Sequence, residues 1–201
     1  MNLSVEAVPL SGGHTHYDNR PAGSLGRNTI VFASSQTGPE STTYTSSEVS
    51  GTEKITAVAV GGNSKEVSID VKVPKLISLG ISGQGCWRLA GDTLLHFDNH
   101  WGTSSTVGKV SVMACDYRKK TGIAIGINDM SLIWGGVFDI CGTWNSADKC
   151  SNAPDGGHSS HRRGKSVDVD HSGVKEDVLD KIAKRHSCKR KEVTKIHYQC
   201  P

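Results

Sequence analysis

The sequence predicts an all-β region over residues 1–75, followed by an α+β region with a small antiparallel sheet over residues 76–201. Three observations carry this division. Apolar and polar residues alternate in the first part, the period of a half-buried strand. Apolar residues at helical spacing occur in the second. All six cysteines (Cys86, Cys115, Cys141, Cys150, Cys188 and Cys200) fall after residue 85.

Taken in chain order, "NTIVFAS" (28–34) predicts a strand, and the Gly/Ser/Thr-rich stretch after it supplies turns and at best one further short strand. "EKITAVAV" (53–60) and "EVSIDVKV" (66–73) flank "GGNS" (61–64) and predict a hairpin. In its second arm Val67, Ile69, Val71 and Val73 share one face, with Ser68, Asp70 and Lys72 on the other. Short strands between such loops suggest a small immunoglobulin-like sandwich, here without an inter-sheet disulfide. Pro74 and Lys75 close the β region.

Beyond it, Val107, Val110, Ala114 and Tyr117 recur at helical spacing, Arg118, Lys119 and Lys120 complement the helix dipole, and Gly122 marks a stop. "GIAIGIN" and "GGVFDI" read as short strands. "SVDVD" predicts another, with Val167 and Val169 toward the core and Asp168 and Asp170 on the opposite face. A second helix over "SGVKEDVLDKIAKRH" takes Ser172 as its cap, Glu176 and Asp177 in its first turn, and Val178, Leu179 and Ile182 as its apolar stripe.

A net charge of +3 with interspersed signs gives no electrostatic case for nucleic acid. No window reaches the roughly 18 apolar residues of a membrane span. The N-terminus lacks a charged leader with a long apolar run, so Met1 is expected to start an excised piece without its signal peptide. Six cysteines without a C-x-x-C pair point to three disulfides in an exported protein, with Cys141–Cys150 the favoured local bridge and the remaining pairing open.

The chemistry concentrates in "SSHRRGKSVDVDH" (159–171). An imidazole at His161 and a carboxylate at Asp168 are two of the three protein ligands of a catalytic zinc. Gly164 between them permits the turn that brings both onto one ion. His197 in "KIHYQC" is the candidate third ligand. By spacing alone, a hydrogen-bonded surface turn explains the same residues.

Ser159, His161, Gly164 and Asp168 match the S-x-H-x-x-G-x-x-x-D pattern of zinc peptidases that cut D-Ala-containing peptides. The chain therefore resembles the D-Ala-D-Ala dipeptidases and carboxypeptidases, in the superfamily with penicillin-insensitive murein endopeptidase, lysostaphin and the hedgehog signalling domain. The blocks "FDNHWGTSSTVGKV" and "GINDMSLIWGGVFDICGTW" look like bacterial secreted proteins of this group, and "SGGHTHYDNRPAGSLG" resembles the immunoglobulin-like module preceding some of them. The resemblance implies an immunoglobulin-like domain over 1–75 and a zinc peptidase domain over 76–201. It implies Zn²⁺ on His161, Asp168 and a later His, here His197, with peptidoglycan stem peptides or crosslinks as substrate. A monomer that is secreted or held in the cell envelope goes with it.

Lys195 and Thr194 stand where the family patterns place His or Glu, and Gln199 is a poorer ligand than His197. Glu192, five residues before His197 instead of three, is the nearest carboxylate for a general base. Arg162, or Arg163 beside it, is a candidate to orient a substrate carboxylate or steady the oxyanion, with a solvent-facing loop residue the plainer reading. Asp129, with Asn128, is a candidate to line the cleft, and an Asx turn at the strand end explains the pair equally well. A zinc-binding recognition module without catalysis and a surface adhesion protein are the competing readings. Of the other histidines, His14, His16, His96 and His100 read as turn or packing residues, His158 as a weaker rival of His161, and His171 and His186 as surface residues.

Overall fold

The computed structural model describes residues 1–13, 20–81, 83, 85–90, 99–137, 160–192 and 195–201. The expectations for His14, His16, His96, His158, Ser159, the Cys141–Cys150 bridge and the end of "GGVFDI" lie outside the described residues. Among the described residues the chain is mostly β, with two helices, several small sheets and no barrel.

The N-terminal sheet has the order β1-β4-β5, with β1 at Asn2–Ala7, β4 at Gly51–Val58 and β5 at Ser64–Val71, all antiparallel. The expected hairpin is β4–β5, closed by Ala59 N–H donating to Asn63 O at 2.8 Å. A two-residue ladder, β2 (Ser24–Leu25) with β3 (Tyr44–Thr45), stands beside it. Fully buried Glu53 ties the two together, accepting from Tyr44 Oη at 2.8 Å, Ser47 Oγ at 2.7 Å and Gly23 N at 2.7 Å.

Two expectations need correction here. Residues 28–34 form no strand: Thr29 makes a single bridge to Asn2, only Ile30 is buried, and Val31 and Phe32 are exposed. The segment meets only the first residues of β1, whose ladder is given to β4. Val67 is also exposed, because β5 is the edge of a three-stranded sheet that covers only its later residues.

The larger sheet has the order β11-β12-β10-β9-β7. Its members are β7 (Trp87–Leu89), β9 (Ile125–Asp129), β10 (Ser166–Val169), β11 (Lys189–Arg190) and β12 (Ile196–Gln199). It is mixed, not antiparallel throughout, since β7 runs parallel to β9. A short pair, β6 (Leu76–Ser78) with β8 (Trp101–Thr103), leads into helix α1 (Ser104–Thr121).

Helix α1 follows the predicted spacing: Val107, Val110, Met113, Ala114 and Tyr117 are buried, Thr103 caps its start and Gly122 its end. Helix α2 (Glu176–Arg185) begins later than Ser172. Ser172 N and Oγ both donate to Asp170 Oδ1, at 3.0 and 2.8 Å, so an Asx turn takes the residue expected to cap the helix. Leu179 and Ile182 of α2 join Val110, Met113 and Tyr117 of α1 against Ile125, Ile127, Val167, Val169, Ile196 and Tyr198 of the sheet, forming one core. Two disulfides brace it, Cys86–Cys115 and Cys188–Cys200. No helix among the described residues is long and apolar enough to cross a membrane.

Candidate metal centre

The period of two decides what each face of the sheet carries. In β10, Val167 and Val169 enter the core, so Asp168 points to the opposite face. In β12, Ile196 and Tyr198 do the same and leave His197 on that face. The antiparallel register sets Asp168 directly across from His197.

The third strand reaches the same face by a different route. Strict alternation would send Asp129 inward with Ile125 and Ile127. The pairing shifts, however, so that Val169 faces Ile127 while Asp168 faces Asp129, with Asn128 as the extra residue. This bulge turns the Asp129 carboxylate away from the core and toward Asp168. Asn99 Nδ2 then donates to Asp129 Oδ1 at 2.8 Å.

His161 comes from a 3₁₀ turn, His161–Arg163, ended by Gly164 in the left-handed conformation. Gly164 N donates to His161 O at 2.8 Å, and Thr103 N donates to Gly164 O at 2.9 Å, which docks the turn on the start of α1. The His161 ring is completely buried, and its Nδ1–H donates to the Met130 carbonyl. A carbonyl can only accept, so this contact fixes the tautomer and leaves Nε2 to face the site.

Three donor atoms converge as a result. His197 Nδ1 lies 2.9 Å from Asp168 Oδ1, His161 Nε2 lies 3.4 Å from the same oxygen, and the two nitrogens are 3.4 Å apart. The rings meet edge to face, with centroids 4.8 Å apart and planes at 88°. Asp168 Oδ1 is buried, yet neither nitrogen approaches it with hydrogen-bond geometry. Three acceptor-capable atoms crowded at this range, one an orphaned carboxylate oxygen, form a cluster that can hold a metal ion.

The surrounding charges favour an ionised Asp168 and set a proton against the metal at His161. Burial resists ionisation of Asp168, but His161 and His197 outweigh it and hold the carboxyl far below the usual carboxylate range. Burial also opposes a charge on His161, yet Asp168, Asp129 and the Met130 carbonyl together raise its pKa above the ordinary imidazole value. Asp168 is the member that reaches solvent, with 15% of its side chain exposed against 0% for His161 and 4% for His197. It opens onto a groove of about 390 Å³ lined also by Asp129, Asp170, His171, Lys195 and Ile196.

The remaining candidates fall unevenly around this point. Glu192 Oε1 lies 3.6 Å from His197 Nδ1, beside the three ligands. Arg162 is turned away: its guanidinium pairs with Glu48 at 3.1 Å. Asp170 lines the groove but is held by Arg88 at 2.6 Å, and His171 lies 3.2 Å from Glu176. His100 is buried with Nε2 3.0 Å from Ile127 O, and His186 meets Asp116 at 2.8 Å. The Met130 carbonyl and the bulge at Asn128 had no sequence signal, since a backbone group or an extra strand residue leaves no mark in residue type.

Comparison with protein-family models, characterised proteins and solved structures returns no significant match for this chain.

Proposed function

We propose that this chain is a zinc-dependent peptidase acting on D-Ala-containing bonds of peptidoglycan stem peptides or crosslinks. In this reading an immunoglobulin-like module over 1–75 precedes a peptidase domain over 76–201, in a monomer secreted or held in the cell envelope. The observation that carries it is the triangle of His161 Nε2, Asp168 Oδ1 and His197 Nδ1, with edges of 3.4, 3.4 and 2.9 Å. Ligands about 2.0–2.1 Å from a tetrahedral zinc stand roughly 3.3 Å from one another, and two imidazoles with one carboxylate leave the fourth position open. The S-x-H-x-x-G-x-x-x-D match and the paired cysteines of an oxidising compartment add to it.

When bound, zinc supplies a Lewis acid for the scissile carbonyl and makes water a nucleophile near neutral pH. The protein's own residues do the rest. Glu192 Oε1, 3.6 Å from His197 Nδ1, accepts a proton next to the ligands and returns it to the departing amine. The groove beside Asp168 holds the peptide, and Asp129 offers it a carboxylate. Arg162, spent on Glu48, takes no part in substrate binding in this reading.

A second reading, a zinc-binding recognition module that does not cut, is favoured by the five-residue interval from Glu192 to His197. Metal analysis with digestion of purified cell wall separates the two. The peptidase reading expects one zinc per chain, release of soluble peptides, loss of both in His161→Ala, and loss of release alone in Glu192→Gln. Zinc without release leaves the recognition module; stoichiometric zinc in His161→Ala removes the ligand assignment.

A further inference from the structure

Residues 48–50, just before β4, lie against the segment that holds the first metal ligand. Fully buried Ser50 donates from Oγ to Gly135 O at 2.6 Å, and Val137 N donates to Glu48 O at 3.0 Å. Gly136 N in turn donates to Arg162 O at 3.0 Å, one residue past His161. The same 130–137 segment provides the Met130 carbonyl that orients the His161 ring. The Glu48 carboxylate closes the circuit on the Arg162 guanidinium at 3.1 Å.

This stack leaves no room for side chains. A Cβ at Gly135 would stand 2.7 Å from Arg162 O, and one at Gly136 would stand 2.6 Å from Ser50 N. Both glycines have positive φ, 72° and 80°. Arg20 backs the outer layer, donating from Nη1 to Ser50 O at 3.1 Å and from Nη2 to Thr52 O at 2.5 Å. Three backbone layers (48–50, 135–136 and 162) are therefore pressed together between the N-terminal sheet and the ligand turn.

We infer that the 48–50 strap positions His161, so that the N-terminal region sets the metal affinity of a site whose ligands all lie after residue 160. Ser50 is the principal positioning residue and the Glu48–Arg162 pair the secondary one. The inference rests on the metal-site reading above, and the two fail in different ways.

The test measures zinc affinity by chelator competition in the full chain, together with the visible spectrum of the cobalt(II) form. Ser50→Ala is expected to weaken zinc by about tenfold or more, the scale of losing an outer support of a ligand, and to alter the cobalt spectrum. Tyr44→Phe removes a hydroxyl whose hydrogen-bond partner is Glu53 and not a residue of 48–50. It should lower the melting temperature of the metal-free chain while leaving zinc affinity and the cobalt spectrum unchanged. Glu48→Arg should cost about two- to fivefold, and adding Arg162→Glu should restore affinity, a rescue that general destabilisation cannot produce. The charge-swap pair decides the matter if Ser50→Ala does not fold. Wild-type affinity in Ser50→Ala, equal loss in Tyr44→Phe, or no rescue by the swap overturns the strap. Zinc retained in His161→Ala overturns the ligand assignment beneath it.

Discussion

Gly164 turns the chain from the His161 turn into β10 with φ 65° and ψ 34°. A Cβ there would stand 2.5 Å from Leu76 Cδ2 and 3.0 Å from Gly102 Cα, so both the backbone and its neighbours oppose any side chain. Gly164→Ala should therefore cost about 1–3 kcal/mol of stability, read by urea unfolding in chelator, and should weaken metal binding because His161 moves with the turn. A loss under about 0.5 kcal/mol, the range of an ordinary surface substitution, would show the turn to be unstrained. Reading Gly164 as the hinge between two ligands needed only the freedom of glycine and the spacing of His161 and Asp168. Ser172 shows the opposite case. Its type suits a helix cap and an Asx turn equally, and the neighbouring Asp170, which accepts both its N–H and its hydroxyl, decides between them. The role of Arg162 depends on Glu48, 114 residues away, and no local pattern carries a partner at that distance.

Strands β10 and β12 present Asp168 and His197 from a face set by alternation. In β10 this was legible because Val167 and Val169 mark the core side, whereas His197 was chosen by residue type and the strand that Ile196 and Tyr198 anchor was not read. Strand β9 was only half legible: its apolar run located it, but the bulge that turns Asp129 outward depends on pairing with β10. Strand β1 was missed, although Leu3, Val5 and Ala7 alternate with Asn2, Ser4 and Glu6, since a half-covered strand of six residues carries a weak signal. Between β11 and β12 runs the segment with Glu192, and Cys188–Cys200 closes it with a sequence separation of 12. Cross-linking a loop of this size mainly restricts the unfolded chain. Replacing both cysteines by serine should lower stability by about 2–4 kcal/mol, measured by denaturant unfolding of the metal-free chain. Indistinguishable midpoints would mean that the strand ladder and the packing of Tyr198 hold this corner unaided.

Over the whole molecule, protons and metal compete at His161 and Asp168. In the metal-free chain burial resists a charge on His161, but Asp168, Asp129 and the Met130 carbonyl overcome it and raise its pKa. A pKa raised by folding adds stability that is full below the unfolded value, about 6.5, and vanishes as pH rises through the folded one. Asp168 has the opposite sign. Burial resists its ionisation, the two imidazoles prevail, and its pKa falls. Its contribution is present above the unfolded value, about 3.9, and is lost only as pH drops through the depressed folded one. The metal-free protein thus has both contributions between about pH 4 and 6.5 and loses that of His161 above this window. Zinc needs the neutral imidazole, so its affinity grows as the proton leaves. The rise in melting temperature caused by zinc should therefore widen steadily from about pH 5.5 to 8, because the metal-free form weakens while the metal-bound form gains. Thermal unfolding with excess zinc or excess chelator, at fixed ionic strength across that range, measures the difference directly. A zinc-induced shift that stays constant or narrows as pH rises would mean that His161 and Asp168 do not form the site at which zinc and protons compete.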